Sequence, residues 1–194
     1  MTEPTHYSSA ADGSSATASA GPRFRGEPAS DHRALAYSLA ALIFVADQFV
    51  KWLVISQLQL QVRRQIEILP IFNLTWVENY GVSLGMLTAS SDLSRWLLVA
   101  LTAAISAGVA VWIWREKLRA DALALSLVLG GALGNIVDRV RFGYVVDYAD
   151  LHFGAFQPFL VFNIADAAIT IGVLLLLLRA LLTREKKPER PGHA

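Results

Sequence analysis

Four long apolar stretches, at about residues 34–58, 96–114, 122–137 and 160–182, constrain this chain more than any other feature. Crossing ~30 Å of hydrocarbon takes ~20 helical residues, with ~17 as the lower limit. The second and fourth stretches meet that length cleanly. The third is marginal, because Gly130, Gly131 and Gly134 dilute its hydrophobicity. It follows a clear span, however, and small residues suit close helix packing. The first has the option of being a signal anchor, but its length and polar face favour a permanent span. Charged residues make up only 17% of the sequence, against ~25% in a typical soluble domain. The expected fold class is therefore an all-α membrane protein with four transmembrane helices.

The ends differ from this middle. Residues 1–30 are rich in Ser, Ala, Gly and Pro and show no apolar periodicity, which predicts disorder. The expected organisation is a disordered tail at 1–33, a four-helix domain at 34–183 and a polar tail at 184–194. Orientation follows from Lys and Arg. Eleven of them (Arg23, Arg25, Arg33, Arg115, Lys117, Arg119, Arg179, Arg184, Lys186, Lys187, Arg190) fall on one side, and five (Arg63, Arg64, Arg95, Arg139, Arg141) on the other. With an even number of spans, both termini are expected in the cytoplasm, and the loops at 59–95 and 138–159 face outward.

Those loops carry their own signals. Val62, Ile66, Ile68, Ile71, Leu74 and Trp76 alternate loosely, with Pro70 as a break, and read as short strands forming a β-like cradle on the membrane. Residues 142–159 mix aromatics with Asp and Gly. That suits a surface-lying segment, an interfacial helix or a mobile lid.

Several function classes drop out. There is no Cys, so disulfides, zinc-thiolate sites and thiol nucleophiles are excluded together. The four His (His6, His32, His152, His193) offer no metal pair, and neither metal nor cofactor is expected. A net charge of +1 without a basic, aromatic-interleaved run gives no reason to expect nucleic acid.

Ionisable groups inside spans are costly and usually functional. Asp47 and Lys51 sit in the outward half of the first span; spaced i, i+4, they share a face and can pair. Asn135 and Asp138 mark the outward end of the third. Asn163 and Asp166 lie in the first turns of the fourth, with Asp166 expected ~9 Å below its outward end. Asn79, Asp147 and Asp150 lie in the outward loops. Polar groups thus gather at one level near the outer face, while the inner halves carry almost none. An ion pathway needs polar groups through the full depth; a site at the outer interface needs only this layer.

Without Cys, and with no His in a span to activate a Ser, carboxylates are the remaining reactive groups. Two carboxylates ~3 Å apart share one proton. One then acts as base on a water while the other donates to the substrate carbonyl. Asp138, Asp147, Asp150 and Asp166 all qualify by depth, and chemistry alone does not choose between them. Each also has a plainer reading. Asp138 can pair with Arg139 at a helix end, and Asp47 with Lys51 reads best as a structural pair. Asp150 and His152 fit a solvated loop, and Glu67, Glu78 and Asp92 look like ordinary surface charges.

Local motifs then resemble one family, the lipoprotein signal peptidases or signal peptidase II. Asp47-Gln48-Phe49-Val50-Lys51 is like its D-x-x-x-K, and Asn79-Tyr80-Gly81-Val82-Ser83 is like N-x-G-[AV]-[AS]. Gly134-Asn135-Ile136-Val137-Asp138-Arg139 is like G-N-x-x-D-R, Val145-Val146-Asp147-Tyr148 like V-V-D-[FY], and Phe162-Asn163-Ile164-Ala165-Asp166 like F-N-x-A-D. Each is weak alone; five in order and at matching spacing are specific. The resemblance covers about residues 41–178, and Leu84-Gly85 departs from it where the family often shows Phe. It implies a membrane aspartyl endopeptidase with Asp147 and Asp166 as the catalytic pair. Asp47, Lys51, Asn79, Gly81, Gly131, Asn135, Asp138, Arg139, Asn163 and Ala165 are then binding or supporting residues. It implies, as substrate, a diacylglyceryl-modified prolipoprotein cut just before its lipidated Cys, in the bacterial inner membrane. Lipid and this substrate are the expected partners of a monomer.

Two other classes compete. A small transporter with an outward carboxylate gate requires polar groups in the inner halves of the second and fourth spans. A non-enzymatic lipid-binding or assembly factor accounts for interfacial aromatics but not for the Asn/Asp pairs at two helix ends.

Overall fold

The structure is a computed structural model and describes residues 32–81, 92–154 and 156–184. All but the innermost residues of the two expected tails, and the departure at Leu84-Gly85, lie outside the described residues.

Four helices are long and apolar enough to cross a membrane. They are α1 (His32–Trp52), which continues as a π-helical turn over Leu53–Gln57, α3 (Asp92–Arg115), α4 (Arg119–Phe142) and α5 (Ile164–Arg184). A single turn, α2 (Leu60–Arg63), leads from the first span into the connection to α3. The third span looked marginal in sequence because it is the central helix. Half of its apolar window is buried inside the protein, against 17–22% for the other three spans. Its glycines are contact points. A Cβ on Gly130 would lie 2.5 Å from the Ala40 carbonyl oxygen of α1, and one on Gly131 would collide with the Ala165 carbonyl oxygen of α5. Helices in lipid approach this closely only over small residues.

The fourth helix begins at Ile164, later than the apolar pattern suggests. Phe162 is held extended instead: its N–H donates to the Ala149 carbonyl (3.0 Å) and its carbonyl accepts from Ala149 N–H (2.7 Å). Asp166 is therefore the third residue of the helix, only ~3 Å along it rather than ~9 Å.

The connections between α1 and α3 and between α4 and α5 build one antiparallel sheet in the order β1 (Gln65–Leu69), β2 (Phe72–Asn79), β3 (Val145–Leu151). The expected strands are present on either side of Pro70, although Val62, read as the start of the alternation, lies in the helical turn α2. Residues 142–159 differ in part from the surface-lying segment expected of them, since Val145–Leu151 form β3. Val145, Val146 and Tyr148 are buried there, in part against Val54, Leu60 and Trp76. β-branched and aromatic residues suit such a half-buried pleat. The remainder does expose its aromatics at Phe153, Phe156 and Phe159.

Register matters for the site. Asn73 pairs with Asp150, Val77 with Asp147 and Asn79 with Val145, with a bulge between Leu74 and Val77. Cross-strand partners share a face and neighbours along a strand alternate. Asn73 and Asp150 therefore share one face, while Asp147, Val77 and Asn79 share the other. The bulge lets one strand serve both.

One polar contact lies outside the layer that the sequence singles out. Asp121, in the first turn of α4, is paired with Arg179 of α5, so an ion pair ties these helices at the end away from Asp138.

Candidate active site

The start of α5 is a capping box. Asn163 precedes the first helical residue, and its Oδ1 accepts the Asp166 N–H (2.9 Å), while Asp166 Oδ2 accepts the Asn163 N–H (3.3 Å). The intervening amide is satisfied from another helix, with Ala165 N–H donating to Asp47 Oδ1 of α1 at 3.0 Å. Asp166 is thus fixed by the requirement that a buried helix end satisfy its free amides.

Asp147 arrives from β3, and its side chain is 2% exposed. Asn79 Nδ2 donates to its Oδ2 (3.0 Å) and Asn163 Nδ2 to its Oδ1 (2.6 Å). Asn79 is itself oriented, because its Oδ1 accepts the N–H of Gly81 (3.0 Å) and so turns its amide nitrogen toward Asp147. Gly81 has φ +90°, a backbone state that glycine adopts freely. Asn135 completes the link: its Nδ2 donates to Asp166 Oδ1 (2.8 Å), and its Oδ1 accepts from Asn163 Nδ2 (3.3 Å). Two side-chain amides therefore join the two carboxylates. Burial, and then the nearby charge of Asp166, push the Asp147 carboxyl up to about 7, against weaker lowering by Asn79, Asn163 and Lys51. The Asp147 carboxyl is thus poised to change its protonation near neutrality, where a group doing acid–base work is most effective.

Below this pair lies an ionic cluster. Lys51 Nζ is 2.9 Å from Asp47 and 2.7 Å from Asp138, and donates to Asn135 Oδ1 at 3.3 Å. Asp47 and Asp138 are fully buried and Lys51 is 2% exposed. The Asp47–Lys51 pair expected from i, i+4 spacing is present. Asp138, however, pairs with Lys51 and not with Arg139, and its Oδ2 accepts the Val146 N–H (3.1 Å). Sequence reasoning gave no role to Gln48. Its Nε2 donates to Asp138 Oδ1 (3.0 Å), Asp47 Oδ2 (3.2 Å) and the Gly134 carbonyl (3.3 Å). The available signal was an uncharged polar side chain inside an apolar span. Arg95, counted only for orientation, donates through Nε to the Arg139 carbonyl (2.7 Å) and through Nη2 to that of Val140 (2.5 Å), capping the end of α4.

Arg139 approaches the site without joining an ion pair among the described residues. Its Nη1 donates to the Asn135 carbonyl (3.5 Å), and its Nε is buried with no partner. A Cβ on Gly81 would stand 4.0 Å from its Nη2. Gly131 contributes close packing against Ala165, whose N–H is the amide held by Asp47. Asp150 stands apart from the pair, on the other face of β3, accepting from Thr75 Oγ1 (2.9 Å) and Gln157 Nε2 (3.3 Å).

Comparison with known proteins points one way. The family described as signal peptidase (SPase) II matches residues 39–182. The lipoprotein signal peptidase of Rhizorhabdus wittichii is 60% identical over 156 residues, covering 80% of this chain and 91% of that protein. That of Sphingopyxis alaskensis is 59% identical over 147 residues, covering 76% and 85%. A bacterial membrane enzyme solved by the in meso method superposes with a TM-score of 0.68 at 28% identity, covering 82% of this chain and 95% of that one. A second gives a TM-score of 0.65 at 29% identity, covering 76% and 93%. The chain therefore belongs to the signal peptidase II family, the membrane aspartic peptidases that cleave lipoprotein signal peptides.

Proposed function

We propose that Asp147 and Asp166 form the catalytic dyad and cut a diacylglyceryl-modified prolipoprotein just before its lipidated Cys. The observation that carries this reading is the amide link through Asn163 and Asn135, which joins these two carboxylates. The dyad shares one proton. Its ionised carboxylate takes a proton from water as the water oxygen attacks the scissile carbonyl carbon. Its protonated carboxyl gives a proton to the carbonyl oxygen. Collapse of the tetrahedral adduct breaks the C–N bond, and the Cys nitrogen leaves with a proton. No covalent intermediate is required.

The supporting groups have separable tasks. Asn79 and Asn163 orient Asp147; Asn135 orients Asp166. The buried, unpartnered Nε of Arg139 supports a role in holding substrate backbone or head-group oxygens. The Lys and Arg asymmetry supports a site near the outer leaflet with both termini in the cytoplasm. At that level the lipid anchor of the substrate brings its scissile bond to the dyad, and a monomer carries every group named.

The test is cleavage of a synthetic diacylglyceryl peptide by purified protein in detergent. Asp147→Asn and Asp166→Asn each abolish cleavage while the protein still inserts and purifies; Asp138→Asn is milder. Normal turnover by either of the first two variants refutes the dyad.

A further inference from the structure

A second polar site lies on the face of the sheet turned away from Asp147. Glu67, Ile68, Leu69, Pro70, Asn73 and His152 line a pocket of about 430 Å³. Glu67 pairs across the strands with Asn73, so both project from the same face of β1 and β2. His152 follows β3 and is held by its N–H to the Ile71 carbonyl (3.0 Å).

One polar atom of this pocket is buried and unsatisfied, and others stand beside it. Asn73 is only 8% exposed and lines the pocket. His152 Nδ1 is buried and has no hydrogen-bond partner among the described residues. The Glu67 carboxylate forms no ion pair among the described residues, whereas neighbouring Asp150 is fully engaged by Thr75 and Gln157. Buried polar groups are nearly always satisfied, so each exception asks for a partner. The described residues offer no group of three ligands able to hold a metal.

The chemistry narrows the occupant. Glu67 offers a carboxylate, Asn73 an amide oxygen and His152, as its Nε2–H tautomer, an acceptor at Nδ1. A primary ammonium has three N–H donors and one positive charge, and matches three acceptors of which one is anionic. The rim is apolar: Ile68 and Leu69 are 52% and 56% exposed, and Ile71, beside Pro70, is 45% exposed. In a membrane protein, an apolar lip over a polar pocket fits a molecule with a cationic head and hydrocarbon tail.

We propose that this pocket binds the ammonium of an ethanolamine-type phospholipid from the leaflet beside the sheet. The site is separate from the dyad and rests on the membrane placement of the chain, not on the catalytic reading. Head-group capture here seats the β1–β2 hairpin on the bilayer.

The test is lipid retention by the full-length protein in detergent, read by native mass spectrometry, with dioleoyl phosphatidylethanolamine and dioleoyl phosphatidylcholine as probes. The trimethylammonium of the second has no N–H to donate. The wild type retains the ethanolamine lipid at least roughly tenfold better, and Glu67→Gln or His152→Phe removes most of that preference. Glu67 is largely exposed, so Glu67→Gln folds normally and still cleaves the lipopeptide, which separates this site from the dyad. Equal retention of both lipids, or an unchanged preference in Glu67→Gln, overturns the proposal. Displacement by free ethanolamine at low concentration replaces the lipid with a soluble amine as the ligand. Displacement only by a lysine-bearing substrate peptide assigns the pocket to substrate and overturns the lipid assignment.

Discussion

Replacing Lys51 with methionine tests how much of this site rests on one buried cation. The side chain lies within 2.9 Å of Asp47 and 2.7 Å of Asp138, and both carboxylates are fully buried. Methionine fills the apolar stem but leaves two carboxylates in a dry pocket without a cation. Breaking one buried pair by removing a partner costs ~3–5 kcal/mol, and here two acids lose the same partner. Folded domains hold only ~5–15 kcal/mol in total. Thermal unfolding in detergent should show a fall on the order of 10 °C for Lys51→Met. The neutral triple variant Asp47→Asn/Lys51→Met/Asp138→Asn is the informative control. Its amide oxygens can still accept the Ala165 and Val146 N–H groups, and neutral replacement of a buried ionic cluster is often tolerated. The triple variant should unfold at a higher temperature than the single one. Wild-type stability in Lys51→Met, or a triple variant no better than the single, refutes the reasoning.

Other consequences follow from the same geometry. The Asp147 carboxyl is raised to about 7 from an ordinary value near 4. It therefore keeps its proton up to neutrality, and kcat/KM should fall as pH rises through about 7. Asn79→Ala removes a bond that favours the charged form, so this limb should move to higher pH; a shift to lower pH contradicts the assigned bond. The same raised value means the folded state grips this proton more tightly than the unfolded chain. Stability should therefore decline as pH rises from ~4 to ~7, as read by unfolding temperature across that range. A Cβ on Gly131 meets the Ala165 carbonyl oxygen and lies 2.9 Å from Ile169 Cγ1. Gly131→Ala should force α5 back, cost ~1–3 kcal/mol and lower turnover more than it lowers expression; full activity would show that the spacing of α4 and α5 is not critical.

The parts legible in the sequence were those set by a single period or length. Span count follows from hydrocarbon thickness, and the Asp47–Lys51 pair follows from the helical repeat. The start of α5 was misplaced because Leu160–Phe162 is as apolar as the helix that follows. Only the backbone pairing of Phe162 with Ala149 shows that this stretch is extended. Residues 142–159 were read only in part, for a related reason. Their mix of aromatics with Asp and Gly suggests a surface-lying segment, yet Asp147 and Asp150 are buried against partners that lie far away in sequence. The expected Asp138–Arg139 pair had a flaw visible without coordinates: adjacent helical residues point about 100° apart and do not face each other. Its actual partner, Lys51, is on another helix, and no local pattern announces that.

The arrangement explains why an ionic cluster should sit beneath a pair of carboxylates that it does not touch. Asp138 accepts the N–H of Val146, the residue before Asp147, and Asp47 accepts the N–H of Ala165, the residue before Asp166. Each acid thus grips the backbone immediately preceding one site aspartate, and Lys51 holds both acids. It also donates to Asn135, whose amide reaches Asp166. β3 and the start of α5 are already joined by the Phe162–Ala149 backbone pair and by Asn163 on Asp147, and the cluster fixes their separation a second time. A single cation bonded to both grips does so over two short contacts, each stiffened by a dry surround. The distance between the two carboxylates then depends on bond lengths in a buried cluster rather than on the looser packing of helices in lipid.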